Sequence, residues 1–191
     1  MTKERLIIAI DPGANGSIVA EYASSLCREE RESCRFTTYP IPEKLWDLYE
    51  LLHKITFDDV FTSNLAPVAY LEHNTGFMAG IKRKTADGGE EAGGVSPKAM
   101  YSFGRNTGHI EMALVALRIP VCRVTPIKWQ NAAGVTTAKK KLMTPTQWKN
   151  HLKAAAQERF PKTNVTLANA DALLILDAAC NRGMKHVENL F

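Results

Sequence analysis

No apolar run in this 191-residue chain approaches the length that crosses a bilayer. The longest, Leu6 to Ile10 and the stretch around Leu173 to Leu176, fall far short of the roughly 18 to 20 residues a membrane helix needs, so no span is expected. Cysteine is sparse and scattered: Cys27, Cys34, Cys122 and Cys180 form no CxxC pair and no CxxH neighbour. That spacing argues against zinc sites and thioredoxin-like redox motifs, and the scattered thiols fit a reducing compartment. The five histidines show no ligand-like spacing, although His73 stands beside a candidate acid. Internal repeats and low-complexity tracts are also missing. Met1 to Arg5 leads straight into a strand-like run, so no signal or transit peptide is expected and the cytoplasm is the expected location.

What remains is an ordinary globular composition, 45% hydrophobic and 23% charged, of a length suited to one domain. The net charge of +4 conceals an asymmetry. Residues 1–95 carry 10 basic and 15 acidic side chains, whereas residues 96–191 carry 14 and 5. A half with a balance of +9 fits a polyanionic partner as readily as lysines on solvated helices.

Along the chain, Leu6 to Ile10 reads as a strand buried on both faces. It ends in the turn Asp11-Pro12-Gly13-Ala14-Asn15-Gly16, and Ser17 to Ala23 returns as a hairpin partner. Cys34 to Tyr39 is a third strand candidate. Glu43 to Ile55 spaces Leu45, Leu48, Leu52 and Ile55 as the apolar face of a helix. Pro67 to Leu71 is a fourth strand, ending at Glu72. Residues 73–96 hold six glycines among mixed charges, without periodicity, and read as a flexible loop. Helix 97–117, strand 120–124, a short helix from Pro126, a basic linker over 134–144 and helices from Pro145 and from Ala170 to Lys185 complete the chain. Strands alternating with helices predict a single α/β domain with a mixed five-stranded sheet flanked by helices.

Three acids stand where hydrophobic elements end or begin: Asp11 after the first strand, Glu72 after the fourth, and Asp171 at the start of the last helix. Each alone reads more simply as a turn, a surface residue or a helix cap. If the two strands are neighbours and the helix crosses them, the acids meet at one sheet edge. Converging carboxylates raise one another's pKa and require cations. Hard oxygen donors suit Mg²⁺ or Mn²⁺, and two such ions about 3.5–4 Å apart assist phosphodiester hydrolysis.

The order of these motifs resembles the RuvC-type Holliday junction resolvases of the ribonuclease H-like superfamily, especially their phage-encoded branch. IIAIDPGANGSI is similar to the family's first strand with its acid, here Asp11. AYLEHNTGF resembles the strand bearing the second acid, Glu72. MYSFGRNTGHIEMALVALRIPVCRVTPIKW is similar to the phage-type helix, strand and Pro-x-x-Trp helix start, and NADALLILDAACNR resembles the closing helix with Asp171. The resemblance covers roughly residues 6–22, 67–78 and 98–185. It implies a ribonuclease H-like fold and a Mg²⁺- or Mn²⁺-dependent endonuclease, with two ions held by Asp11, Glu72 and Asp171, that cleaves Holliday junctions or other branched DNA as a homodimer. If phage-encoded, it would work in the host cytoplasm.

The resemblance also implies that a basic residue near the final helix approaches the scissile phosphate. Lys139, Lys140 and Lys141 are the candidates for that catalytic role, and they join Lys128 and Arg105 as candidate DNA contacts, with Lys149 and Lys153 adding charge. Phe77 and Met78, just beyond Glu72, take the place of the aromatic that enters the junction centre, where an apolar wedge can unstack bases. Gly104 and Gly108 on the long helix would allow a second copy to approach closely.

One departure is plain. The family usually places a fourth acid about one helical turn before the position of Asp171, where this chain has Leu167, Ala168 and Asn169. Asn169 could give a neutral carbonyl ligand, or His73 beside Glu72 could contribute; otherwise three acids suffice, the second metal is weak, or cleavage is impaired. Asp177 lies about 9 Å further along the helix, too far to share a metal with Asp171. Two alternatives therefore stand beside junction cleavage: a ribonuclease H-like nuclease for forks, flaps or RNA–DNA hybrids, and a junction-binding protein with impaired cleavage.

Overall fold

The computed structural model describes residues 5–23, 36–58, 65–73, 81–84, 90–93, 97–135, 140 and 142–181. Five strands form the central sheet: β1 (Arg5–Ile10), β2 (Ser17–Ala23), β3 (Phe36–Pro40), β4 (Ala66–Glu72) and β7 (Val121–Val124), in the order β3-β2-β1-β4-β7. The first three are antiparallel neighbours, while β4 and β7 join in parallel. The expected mixed sheet is thus present, with β1 and β4 side by side.

Strand alternation divides the core into two layers. Leu6, Ile8 and Ile10 of β1 pack with Ala69, Leu71 and Val121 against α1 (Leu45–His53) and α2 (Pro97–Ala116), through Leu48, Leu52, Ile110 and Leu114. On the other face, Ile7, Ala9, Val68, Tyr70, Cys122 and Val124 meet α3 (Pro126–Ala132), α4 (Pro145–Arg159) and α5 (Ala170–Asn181). Helix α5, with Leu173 to Leu176 all inaccessible, lies across β1, β2 and β4. Helix α1 runs directly into a π-helical turn, Lys54–Asp58. None of the described helices is long and apolar enough to cross a membrane.

Within residues 73–96, read from the sequence as a flexible loop without periodicity, the described residues include two short strands. They form an antiparallel pair, β5 (Ile81–Lys84) with β6 (Glu90–Gly93). The register sets Arg83 across from Glu91 and Lys84 across from Glu90. Phe77, Met78, Lys139 and Lys141 lie outside the described residues.

Candidate active site

The β1–β4 register pairs Ile10 with Leu71, which carries Asp11 and Glu72 out of the sheet next to each other at the carboxyl ends of two parallel strands. Crevices outside strand carboxyl ends are where open α/β sheets bind ligands. By alternation, Asp11 continues the face of Ile7 and Ala9, and Glu72 that of Val68 and Tyr70, so both acids belong to the α5 side. Asp171 joins them from the first turn of α5.

Local structure fixes each acid. The Asp11 N–H donates to the Ser17 carbonyl (3.0 Å) and the Gly16 N–H to the Gly13 carbonyl (2.9 Å), closing the turn between β1 and β2. The Gly13 N–H then donates to Asp11 Oδ1 at 2.9 Å. Glu72 is only 9% exposed, and its Oε2 accepts the indole N–H of Trp129 at 2.8 Å. Asp171 Oδ2 lies 3.6 Å from Lys149 Nζ, which reaches over from α4.

All three acids carry a raised pKa. Burial is the main cause for each, and for Glu72 the negative charge of Asp11 follows, taking it to about 8 against the Trp129 hydrogen bond. Asp171 rises to about 6, with Lys149 opposing burial and Asp11 adding to it. Burial also lifts Asp11, against the Gly13 N–H and Lys149. The charge of Asp11 therefore acts on Glu72 and Asp171 and that of Asp171 on Glu72, while among the described residues Lys149 is a cation acting on all three. Among the described residues, no three His, Cys, Asp or Glu side chains close on one point as ion ligands do. The trio is a charge-coupled cluster rather than a finished cage. Its chemistry nevertheless fits a hard divalent cation: desolvated oxygen donors that repel one another in the absence of positive charge.

Neither proposed substitute for the fourth acid joins the cluster. The Asn169 side-chain oxygen accepts from the Thr166 N–H (2.7 Å) and its amide donates to the Asn164 carbonyl (3.1 Å), so Asn169 ties its own loop ahead of α5. His73 follows Glu72, and alternation assigns it to the opposite, α2-bearing face. Its N–H donates to the Val124 carbonyl, extending the β4–β7 pairing by one residue. Asp177 is also separate: it is buried on α5 and paired with Arg159 at 3.3 Å.

Among the candidate DNA contacts, Lys140 lies over the Trp148 ring (5.8 Å) and lowers the Asp171 pKa. Lys128 is exposed on α3. Arg105 stacks over Tyr101 (5.9 Å) on α2, the helix packed on the far face of the sheet, and so is not brought to the carboxylates. Among the described residues, the cation paired with an acid of the cluster is Lys149, which in the sequence stands out only as part of the basic balance of residues 96–191. Trp129 was legible only as part of a motif. Both act across long gaps in sequence, and no local pattern marks them.

No family model matches the chain, and no curated protein matches it in sequence. Solved structures do. RuvC of Thermus thermophilus in complex with a Holliday junction substrate aligns with a TM-score of 0.52 at 13% identity, covering 97% of this chain and 99% of that one. Another Thermus thermophilus RuvC structure aligns at 0.50 and 13% identity with the same coverage. Likeness at this identity establishes architecture: the chain has the mixed five-stranded α/β fold of the RuvC, ribonuclease H-like proteins.

Proposed function

We propose that this protein is a metal-dependent, structure-selective endonuclease that cuts branched DNA, with the Holliday junction as its leading substrate. The observation that carries this reading is the meeting of Asp11, Glu72 and Asp171, from β1, β4 and α5, at one sheet edge under Lys149. Support comes from the fold shared with a RuvC solved on a junction and from the basic balance of residues 96–191. The stretch from Met100 to Trp129 supports the phage-type branch, and the reading carries with it a cytoplasmic site of action.

Asp11, Glu72 and Asp171 would hold one or two Mg²⁺ or Mn²⁺ ions. When bound, such ions supply Lewis acidity and charge neutralisation for phosphodiester hydrolysis. The chain's own residues do the rest. The Gly13 N–H holds one oxygen of Asp11, the β1–β4 register fixes Glu72 beside it, and burial keeps bulk water from screening their charge. Lys149, more than half exposed yet beside Asp171, is placed to meet a backbone phosphate and joins Lys139, Lys140 and Lys141 as a candidate for the catalytic cation. Lys140 and Lys128 add sequence-independent phosphate affinity.

Cutting a four-way junction symmetrically needs two such sites, and we infer a homodimer. A Cβ at Gly104 or Gly108 would meet nothing within 4 Å, and Met100, Tyr101 and Met112 are exposed on the same helix. Helix α2 therefore has an open surface that a second copy can approach.

The test is cleavage with Mg²⁺ or Mn²⁺ of a four-way junction, a fork, a flap, an RNA–DNA hybrid and a plain duplex, together with light scattering for mass. Junction products that disappear with Asp11→Asn support the reading. Preferential cleavage of the hybrid, fork or flap replaces the substrate. Tight, salt-sensitive junction binding with no products favours a binding protein, the outcome to which the engaged Asn169 and the missing fourth acid would lead.

A further inference from the structure

We propose that Trp129 is a positioning residue that presents Glu72 to the metal, a role that rests on the reading of Glu72 as a metal-holding acid. The β4–β7 register places Glu72 opposite Val124. The chain then turns at Thr125, whose side chain caps α3 by accepting from the Lys128 N–H, with Pro126 in the first helical turn. One turn later Trp129 brings its indole back to the acid across 57 residues of sequence, with Nε1 2.8 Å from Glu72 Oε2. Trp129 is 1% exposed and belongs to the layer formed with α4 and α5, so its ring has little freedom to leave.

The chemistry of this donor matters. An indole N–H donates one hydrogen bond and accepts none. It can fix one carboxylate oxygen without neutralising the negative charge, as an ammonium or guanidinium would. One lone pair of Oε2 is thereby engaged, and Oε1 is the less encumbered oxygen for ligation. Partners of this kind orient ligating groups, and their loss commonly weakens metal binding by roughly 10- to 100-fold. Lys149 and Trp129 thus divide the work: Lys149 moderates the cluster's charge from its solvent side, and Trp129 sets the orientation of its most buried member.

The experiment reads Mn²⁺ binding to the intact protein by electron paramagnetic resonance of the free ion, without DNA or turnover. Trp129→Phe keeps an aromatic ring in the core and removes the N–H. It is expected to weaken Mn²⁺ binding about 10-fold or more, beyond any change in thermal midpoint. Glu72→Ala should abolish binding at the site. Trp129→Phe with parental Mn²⁺ affinity, alongside a defective Glu72→Ala, overturns the positioning role alone. If Glu72→Ala binds Mn²⁺ like the parent, the metal reading falls and this role falls with it. Should Trp129→Phe not fold, the indole N–H resonances of the parent decide. The chain has three tryptophans, assigned by Trp46→Phe and Trp148→Phe. The Trp129 signal is expected to shift on Mg²⁺ addition in the parent and to stay still in Glu72→Ala. A Trp129 signal indifferent to Mg²⁺ while the ion binds overturns the proposal.

Discussion

Lys149 Nζ stands 3.6 Å from Asp171 Oδ2, linking an exposed position on α4 to the first turn of α5. Its charge also lowers the pKa of Asp11 and Glu72. The lysine is 55% exposed, so the pair contributes little to folding. Its value lies in meeting phosphate. Lys149→Met is therefore expected to change unfolding stability by no more than about 0.5 kcal/mol while lowering junction cleavage roughly 100-fold. The slope of log binding constant against log salt should fall by about 0.9. Parental cleavage with a parental slope would remove Lys149 from the site.

The raised carboxylates make stability depend on pH in an unusual direction. Glu72 lies near 8 against an ordinary 4.5, and Asp171 near 6 against 3.8. An acid with a raised native pKa keeps a proton that the unfolded chain has already released. Its favourable contribution is greatest below the unfolded value and disappears as pH rises through the native one. In EDTA the thermal midpoint should therefore fall from about pH 4 to about pH 8, as Asp171 ionises and then Glu72. Glu72→Gln, which cannot ionise, should flatten the upper part of that fall. Added Mg²⁺ should raise the midpoint more at the alkaline end, because it binds the ionised acids. A metal-free midpoint that climbs across this window would contradict the geometry of the cluster.

Strand and acid positions were legible because they depend on local pattern. The β-branched run ending at Asp11 and the apolar run ending at Glu72 each announce a strand and its end, and the two strands proved to be neighbours. Asp171 was legible from the helix that follows it. What escaped depends on partners distant in sequence. The β5–β6 ladder, with its register of Ile81 to Gly93 through Lys84 to Glu90, has no apolar alternation to announce it. Glu111 on α2 accepts from Arg123 on β7 at 2.6 Å, a pairing that no local pattern announces. Lys149 is one of two lysines on α4, and only the packing of α4 on α5 singles it out.

Gly16 holds the Asp11 turn by having no side chain. A Cβ there would stand 2.0 Å from the Asp11 carbonyl oxygen, whereas one on Gly13 would stand 3.2 Å from Asp11 Oδ1. The first contact is with backbone that cannot move without displacing the acid. Gly16→Ala should thus cost about 2 kcal/mol or more of stability and weaken Mn²⁺ binding. Gly13→Ala asks a side-chain oxygen to shift by a few tenths of an ångström, so it should unfold nearly like the parent and alter mainly metal affinity. Urea unfolding and Mn²⁺ titration of the two variants check this, and a Gly16→Ala protein that matches the parent in both would refute it.

Asp177 and Arg159 do for the helical layer what the acidic cluster does not. The Asp177 side chain is 0% exposed and Arg159 16%, and they meet at 3.3 Å between α5 and α4. Arg159 also donates to the Ala133 carbonyl at the end of α3, so one guanidinium ties three helices. Asp177→Ala leaves that half-buried cation with its compensation reduced, a change that should approach the roughly 3–5 kcal/mol typical of a broken buried pair. Converting both partners to apolar residues, Arg159→Met with Asp177→Leu, should recover most of the loss, since a well-packed apolar pair often matches a buried ion pair. Mn²⁺ affinity of the folded variants should remain parental, in contrast to Asp171→Asn one and a half turns earlier on the same helix. Loss of metal binding in the double variant, at parental stability, would instead make Asp177 part of the metal site.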